Sequence, residues 1–274
     1  MLPINDRDFL RLVEFVQQNY GINLSKKRQL ISSRLSSTVL SMGYSGFTEY
    51  IDDILSNKQH ANIETMLNKL TTNYTYFMRE PAHFDFFKNT ILPYLVHTKR
   101  NKTLNIWSAG CSTGQEPYTL SIIIKEFLGA QASAWDTRVL ATDISQKALS
   151  IAKAGIYDVE SIKDVPEKWK TTYFAPVPNS DQCTLVPQIK SNVIFRTFNL
   201  MDPIQFKVKF DVIFCRNVMI YFDQPTKDAL IQRFYHATNP GGYLLIGHSE
   251  TLNKESAPYK YIMPATYRKL ETQS

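Results

Sequence analysis

No apolar run in this chain approaches the ~20 residues needed to span a bilayer, so direct membrane insertion is not expected. The opening stretch, MLPINDRDFLRL, carries early acids and no apolar core, which argues against a secretory signal there. Cysteine is scarce: Cys111, Cys183 and Cys215 are scattered and lack metal-ligand spacing. Reduced thiols in a cytoplasm, and no bound metal, are therefore expected. Acids vanish from residues 22–44, a segment that holds Lys26, Lys27, Arg28 and Arg34. That face is either simply solvated or a docking surface for an acidic partner.

What is present is ordinary for a globular protein. The 274 residues, 43% hydrophobic and 20% charged, suffice for one large or two modest domains with a sizeable core. A formal charge of +6 favours an acidic partner without naming one.

The chain is organised around residues 104–120, LNIWSAGCSTGQEPYTL. Leu104, Ile106 and Trp107 read as a short buried strand, followed by a turn of small residues at 108–114. Pro117 sits near a helix start, where its missing N–H and fixed φ are tolerated. Gly110 and Gly114 at this strand–helix junction are expected to let backbone approach a ligand. About thirty residues on, a second strand ends on Asp143, with Ser145 as the next helix N-cap. A glycine turn after one strand and an acid after the next is the nucleotide-ribose arrangement of a doubly wound sheet. The turn is not G-x-G-x-x-G, and no lysine follows Gly114, which removes a dinucleotide fingerprint and a phosphate-gripping loop. A nucleoside ligand without phosphates suits it, and S-adenosylmethionine is the commonest such cofactor.

Ahead of that centre the pattern is helical. Phe9, Leu12, Val13 and Val16 stripe a helix over residues 8–19 that Gly21 caps. Ser25 is expected to cap a second helix, ended by Gly43, and two shorter helices follow up to Leu70. Residues 1–70 thus read as an all-helical N-terminal domain. Residues 71–80, TTNYTYFMRE, break the rhythm before a helix from Pro81 to Val96. Residues 71–96 therefore link two domains, where ligand clefts form. Arg79 is singled out there, with a structural ion pair as its ordinary alternative role.

Residues 97–274 alternate strands and helices. Strands are expected at 193–195, 210–215 and 243–246, a helix opened by Pro225, a turn at 239–242, and antiparallel strands around Pro264. Residues 155–191 hold Pro166, Pro176, Pro178 and Pro187 and strand-like runs at 171–175 and 183–186, and read as an inserted subdomain. The expected fold class is α/β: a doubly wound, mostly parallel sheet with a small inserted β-subdomain, preceded by an all-α N-terminal domain. Ligands in such sheets lie outside the strand C-termini. Gly110, Gly114, Asp143, Asn199, Arg216 and Asn217 all fall there, which points to a binding crevice. His248 and Cys215 also lie near strand ends, where packed or capping roles are expected.

The segments TTNYTYFMRE, SAGCSTGQEPYTL, ATDIS, FNL, FCRNVMIYF and NPGGYLLIGHSE, in that order, resemble the motifs of the CheR family. These are chemotaxis receptor methyltransferases that esterify protein glutamates with S-adenosylmethionine. The resemblance covers almost the whole chain. It implies cofactor contacts from Asn73, Thr75, Arg79, Glu116, Asp143, Asn199, Leu200, Arg216 and Asn217, with Arg79 and Tyr221 nearest the methyl-transfer centre. S-adenosylhomocysteine is the implied product. The implied partner is the cytoplasmic domain of a methyl-accepting chemoreceptor, met by a monomer through the segment with Lys26, Lys27, Arg28 and Arg34. A glutamate, with a reference pKa near about 4.3, is already ionised at neutral pH. The site must then supply alignment and desolvation rather than a general base, which suits the lack of any Ser/His/Asp or Cys/His set.

Two other classes compete: a nucleic-acid methyltransferase using the same basic surface, and a non-catalytic adaptor that binds the cofactor. The whole-chain resemblance argues against the first, and the intact cofactor positions and Arg79 against the second. Some family members hold a receptor's C-terminal peptide on the inserted subdomain by strand addition. Here residues 175–191 contain no glycine and three prolines, so independence from such a tether is expected.

Overall fold

A computed structural model describes residues 2–56, 60–71, 73–253 and 256–271; Thr72 of the 71–80 segment lies outside the described residues. Four helices come first: α1 (Asp6–Tyr20), α2 (Arg28–Ser41), α3 (Phe47–Leu55) and α4 (His60–Leu70). Asn5 starts α1, its side chain accepting from the Asp8 N–H at 2.8 Å, and Gly21 caps its end. The cap expected from Ser25 does not form. Asn23 Oδ1 takes both the N–H and the hydroxyl of Ser25 in a local turn, so α2 begins later, behind Lys27 and without a side-chain cap.

The linker runs into α5 (Pro81–Phe86), a π-helical turn (Phe87–Ile91) and α6 (Leu92–Thr98), with Pro81 in the first turn. The remaining elements are β1 (Ile106–Ala109), α7 (Gln115–Leu128), β2 (Val139–Asp143), α8 (Gln146–Ala154), β3 (Ile156–Asp158), α9 (Glu167–Tyr173), β4 (Phe174–Pro176) and β5 (Gln182–Leu185). They continue with α10 (Pro187–Lys190), β6 (Val193–Thr197), β7 (Phe210–Cys215), α11 (Gln224–Ala237), β8 (Thr238–Ile246), β9 (Lys260–Met263) and β10 (Thr266–Arg268).

Seven of these strands form one sheet in the order β6-β2-β1-β7-β8-β10-β9, parallel as far as β8 and antiparallel beyond it. β7 is buried at every position, as a strand covered on both faces must be. On one face Trp107 sits among Phe198, Phe206, Phe210 and Phe234, and its indole N–H donates to Thr142 Oγ1 at 2.9 Å. Phe84 and Phe87 pack on Phe214 from the other. The core on the Trp107 side continues without a break into Leu12, Val16, Ile31 and Leu35 of the N-terminal helices. Among the described residues, no helix is long and apolar enough to cross a membrane.

The inserted segment carries a small antiparallel sheet, β3-β5-β4. The strand-like run at 171–175 is helical through Tyr173; Thr171 Oγ1 bonds back to the Glu167 carbonyl, which lets a β-branched residue stay in α9. Pro187 opens α10 rather than interrupting a ladder, so of the three prolines only Pro176 lies in a strand. Asn179, at φ 57°, adopts the left-handed conformation in the turn that a glycine would otherwise supply. Residues 239–242 form no separate turn; they lie within β8, opposite a register shift in β7.

Candidate functional site

β1 delivers the chain to the glycine turn at its C-terminal end. Gly110 has φ 84° and Gly114 φ 95°, and a Cβ at Gly110 would lie 2.4 Å from Val218 Cγ2. At Gly114 it would lie 2.8 Å from Ala152 Cβ. Both glycines also make room for protein side chains, and Gly110 lines the cleft outside the strand ends, whereas Gly114 packs on α8. Ser112, at φ 50°, turns its N–H to Asp143 Oδ2 at 2.8 Å and its hydroxyl to the Asn73 carbonyl at 3.0 Å. Asp143 Oδ1 accepts from Ser145 N–H at 2.9 Å, and Ser145 caps α8 as expected. Burial pushes the Asp143 carboxyl up, against the pull of these N–H groups. Each of its oxygens keeps a lone pair for a further donor.

A cleft of about 1010 Å³, its open mouth included, lies outside these strand ends. Every cofactor and catalytic position inferred from the resemblance lines it. Asn73, Thr75 and Arg79 come from the linker, Glu116 from α7, Asp143 from β2. Asn199 and Leu200 follow β6, Arg216 and Asn217 follow β7, and Tyr221 ends a short 3-10 turn, Met219–Tyr221.

Their chemistry divides them. Arg216 is 3% exposed and its donors are taken: Nη1 reaches Glu116 Oε2 at 2.9 Å, Nη2 reaches Glu80 Oε2 at 3.2 Å and the Arg79 carbonyl. Glu116 Oε1 accepts from Ser108 Oγ at 2.7 Å, and Asn217 Nδ2 donates to Glu80 Oε1 at 3.2 Å. Burial opposes charge on Glu80, yet the Arg216 guanidinium and hydrogen bonds from Asn217 and His248 hold its carboxyl below the usual range. Beneath them Glu250 accepts from the N–H groups of Gly247, Asn217 and Ile220, while burial pushes its carboxyl up. The Asn199 side chain is similarly occupied, donating to the Asn19 carbonyl at 2.7 Å and accepting from Met201 N–H.

Arg79 differs. Its Nη1 donates to the Tyr74 carbonyl at 2.8 Å and its guanidinium lies 5.8 Å from the Tyr74 ring; among the described residues it makes no ion pair. Met78 and Glu80 on either side are left-handed, at φ 61° and 56°, and Phe77 is wedged against Tyr157 and Phe174 of the inserted segment. The structural ion pair considered for Arg79 is therefore not its role.

Sequence reasoning missed Glu80 and Glu250, whose only signals were an acid beside Arg79 and the acid of GHSE. It also missed the wall that the N-terminal helices supply. Tyr20 and Ile22 line the cleft, Asn23 N–H donates to the Tyr221 carbonyl at 2.7 Å, and Gln17 reaches Asp223 at 2.6 Å. Of the basic segment, Lys26 and Lys27 are exposed, Arg28 pairs with Asp6 at 2.5 Å, and Arg34 donates to the Leu70 carbonyl at 3.1 Å, closing the end of α4. Cys215 is packed as expected, burial pushing its thiol up; His248 is exposed, with its ring edge-on to His83 and its N–H donating to Glu80 Oε1 at 3.3 Å.

Residues 7–71 match the family description "CheR methyltransferase, all-alpha domain", and residues 73–268 match "CheR methyltransferase, SAM binding domain". A chemotaxis protein methyltransferase of Borreliella burgdorferi is 42% identical over 273 residues, 98% of this chain and 96% of that protein. A probable chemotaxis protein methyltransferase of Rhizobium etli is 39% identical, covering 88% of this chain and 91% of its own. The chemotaxis protein methyltransferase of Escherichia coli is 34% identical over 92% of this chain and 87% of its own.

Proposed function

The chain belongs to the CheR methyltransferase family, and from that membership we propose that it methylates glutamate side chains on the cytoplasmic helices of chemoreceptors. S-adenosylmethionine supplies the methyl group on a sulfonium and leaves as S-adenosylhomocysteine. The observation that carries the reading is the Arg79 guanidinium, without an ion pair among the described residues, on the same cleft as a carboxylate-bound, fully partnered Arg216. A free guanidinium there orients an incoming carboxylate, and no base is needed because glutamate arrives ionised.

Asp143 accepts the two ribose hydroxyls on its remaining lone pairs. The apolar faces of Ile144, Phe198 and Leu200 cover the adenine, whose edge meets backbone near Asn199 because the Asn199 amide is already taken. Asn73, Thr75, Glu116, Arg216 and Asn217 frame the methionyl end, and Tyr221 stands with Arg79 at the transfer point. The receptor helices, rich in glutamate, meet Lys26 and Lys27, with Arg28 beside them. The enzyme works as a monomer in the cytoplasm, where its free buried thiols stay reduced.

A methyl ester on glutamate hydrolyses in mild base and releases volatile methanol, whereas N-methyl groups on protein or nucleic acid do not. Incubation with labelled cofactor and receptor-bearing membranes should give base-labile label; base-stable label would sink the carboxylate reading. The enzyme also recognises receptors without a C-terminal peptide tether, a reading supported by the three-residue β4 with its donor-less Pro176. Titration with a receptor C-terminal pentapeptide should show no dissociation constant at or below roughly 10 μM, about −7 kcal/mol.

A further inference from the structure

Glu80, His83 and His248 converge beside the cleft, one potential ligand atom from each lying within 4.8 Å of the other two. We propose that they bind a zinc-class divalent cation, which ties the start of α5 to the loop after β8 and takes no part in methyl transfer. The distances point to it. Two ligands at about 2.0–2.1 Å from a tetrahedral ion stand about 3.4 Å apart. His83 Nδ1 stands 3.4 Å from Glu80 Oε2, beyond a good hydrogen bond.

An independent observation agrees. His83 is 0% exposed, and among the described residues neither of its ring nitrogens has a hydrogen-bond partner. The Pro264 carbonyl lies nearby without completing an aligned bond. Buried polar groups are otherwise almost always paired, so this imidazole needs a partner that the described residues do not supply. The exposed His248 ring packs edge-on against it, centroids 4.6 Å apart, and can turn a nitrogen to the same point. Charge permits a cation, because Arg216 faces both Glu80 and Glu116 and leaves one negative charge uncompensated. Two imidazoles and one carboxylate suit Zn²⁺, whereas Mg²⁺ and Ca²⁺ prefer oxygen alone. A water fills the fourth position.

The test uses tag-free full-length protein stripped with a chelator, titrated with Zn²⁺ by calorimetry and with Co²⁺ by visible absorption. One equivalent should bind with tetrahedral Co²⁺ bands, and Zn²⁺ should raise the melting temperature. His248→Ala, an exposed substitution that leaves the backbone bond from His248 to Glu80 in place, should weaken binding at least about tenfold and remove the thermal shift. The proposal is overturned if no Zn²⁺ binds at about 100 μM, or if binding is unchanged in both His248→Ala and His83→Gln.

Discussion

The floor and the rim of the cleft carry similar residues in opposite states. On the floor Arg216 is 3% exposed and bridges two carboxylates, Glu80 and Glu116, while Glu250 collects backbone donors beneath it. On the rim Arg79 holds, among the described residues, a carbonyl and an aromatic face, beside the exposed Tyr74 and Tyr76. A saturated guanidinium fixes geometry, and an unsaturated one is available to something that arrives. The floor is the frame, and on the proposed function the rim is where a substrate is met.

Substitutions can break this contrast. Arg216→Ala leaves Glu80 and Glu116 facing each other without a cation, and should lower unfolding free energy by about 3–5 kcal/mol in a denaturant titration. A loss below about 1 kcal/mol would make the floor no firmer than the surface. Asp143→Ala should weaken cofactor binding by about 1–3 kcal/mol in calorimetry, since the ribose loses a charged acceptor. Arg79→Ala should slow methylation at least about tenfold, about 1.4 kcal/mol, while stability moves by less than about 0.5 kcal/mol. Near wild-type turnover would return Arg79 to the frame. The smallest effect divides the basic segment: Lys26→Ala with Lys27→Ala should weaken receptor binding at low salt, the difference vanishing by about 1 M. Arg34→Ala should instead lower stability by about 1 kcal/mol with docking intact, because it closes the end of α4.

The frame was legible where chemistry is local. Ser145 capping α8, the continuous apolar β7 and the acid at the end of β2 are written in neighbouring residues, and each was found. Partners remote in the chain were not. Glu80 and Arg216 are joined only by the fold, and Glu250 is a loop acid until the backbone of Gly247, Asn217 and Ile220 turns towards it. The glycines were found, but their packing partner was not, since nothing near Gly110 in sequence announces Val218. Thr171 was misread because β-branching favours strands, and its back-bond to Glu167 offsets that preference. Arg34 looked like surface charge because the carbonyl it meets belongs to a different helix.

The strand order also sets a clock. β1 pairs with β7, roughly a hundred residues later in the chain, whereas α1–α4 meet one another over short separations. At about 5–20 residues per second of synthesis, β1 leaves the ribosome about 5–20 s before its central partner exists. During that wait the helices can assemble, and within the sheet β1 is paired along one edge alone, by β2, whose far side takes β6. β7 then adds to the open edge of β1, and β8, β10 and β9 extend the sheet from it, so the central strand has to dock before one whole flank of the sheet can form. A pause in translation before residue 210 would therefore prolong exposure of the unpaired β1 edge, and slowing synthesis there should raise aggregation more than slowing it anywhere in α1–α4.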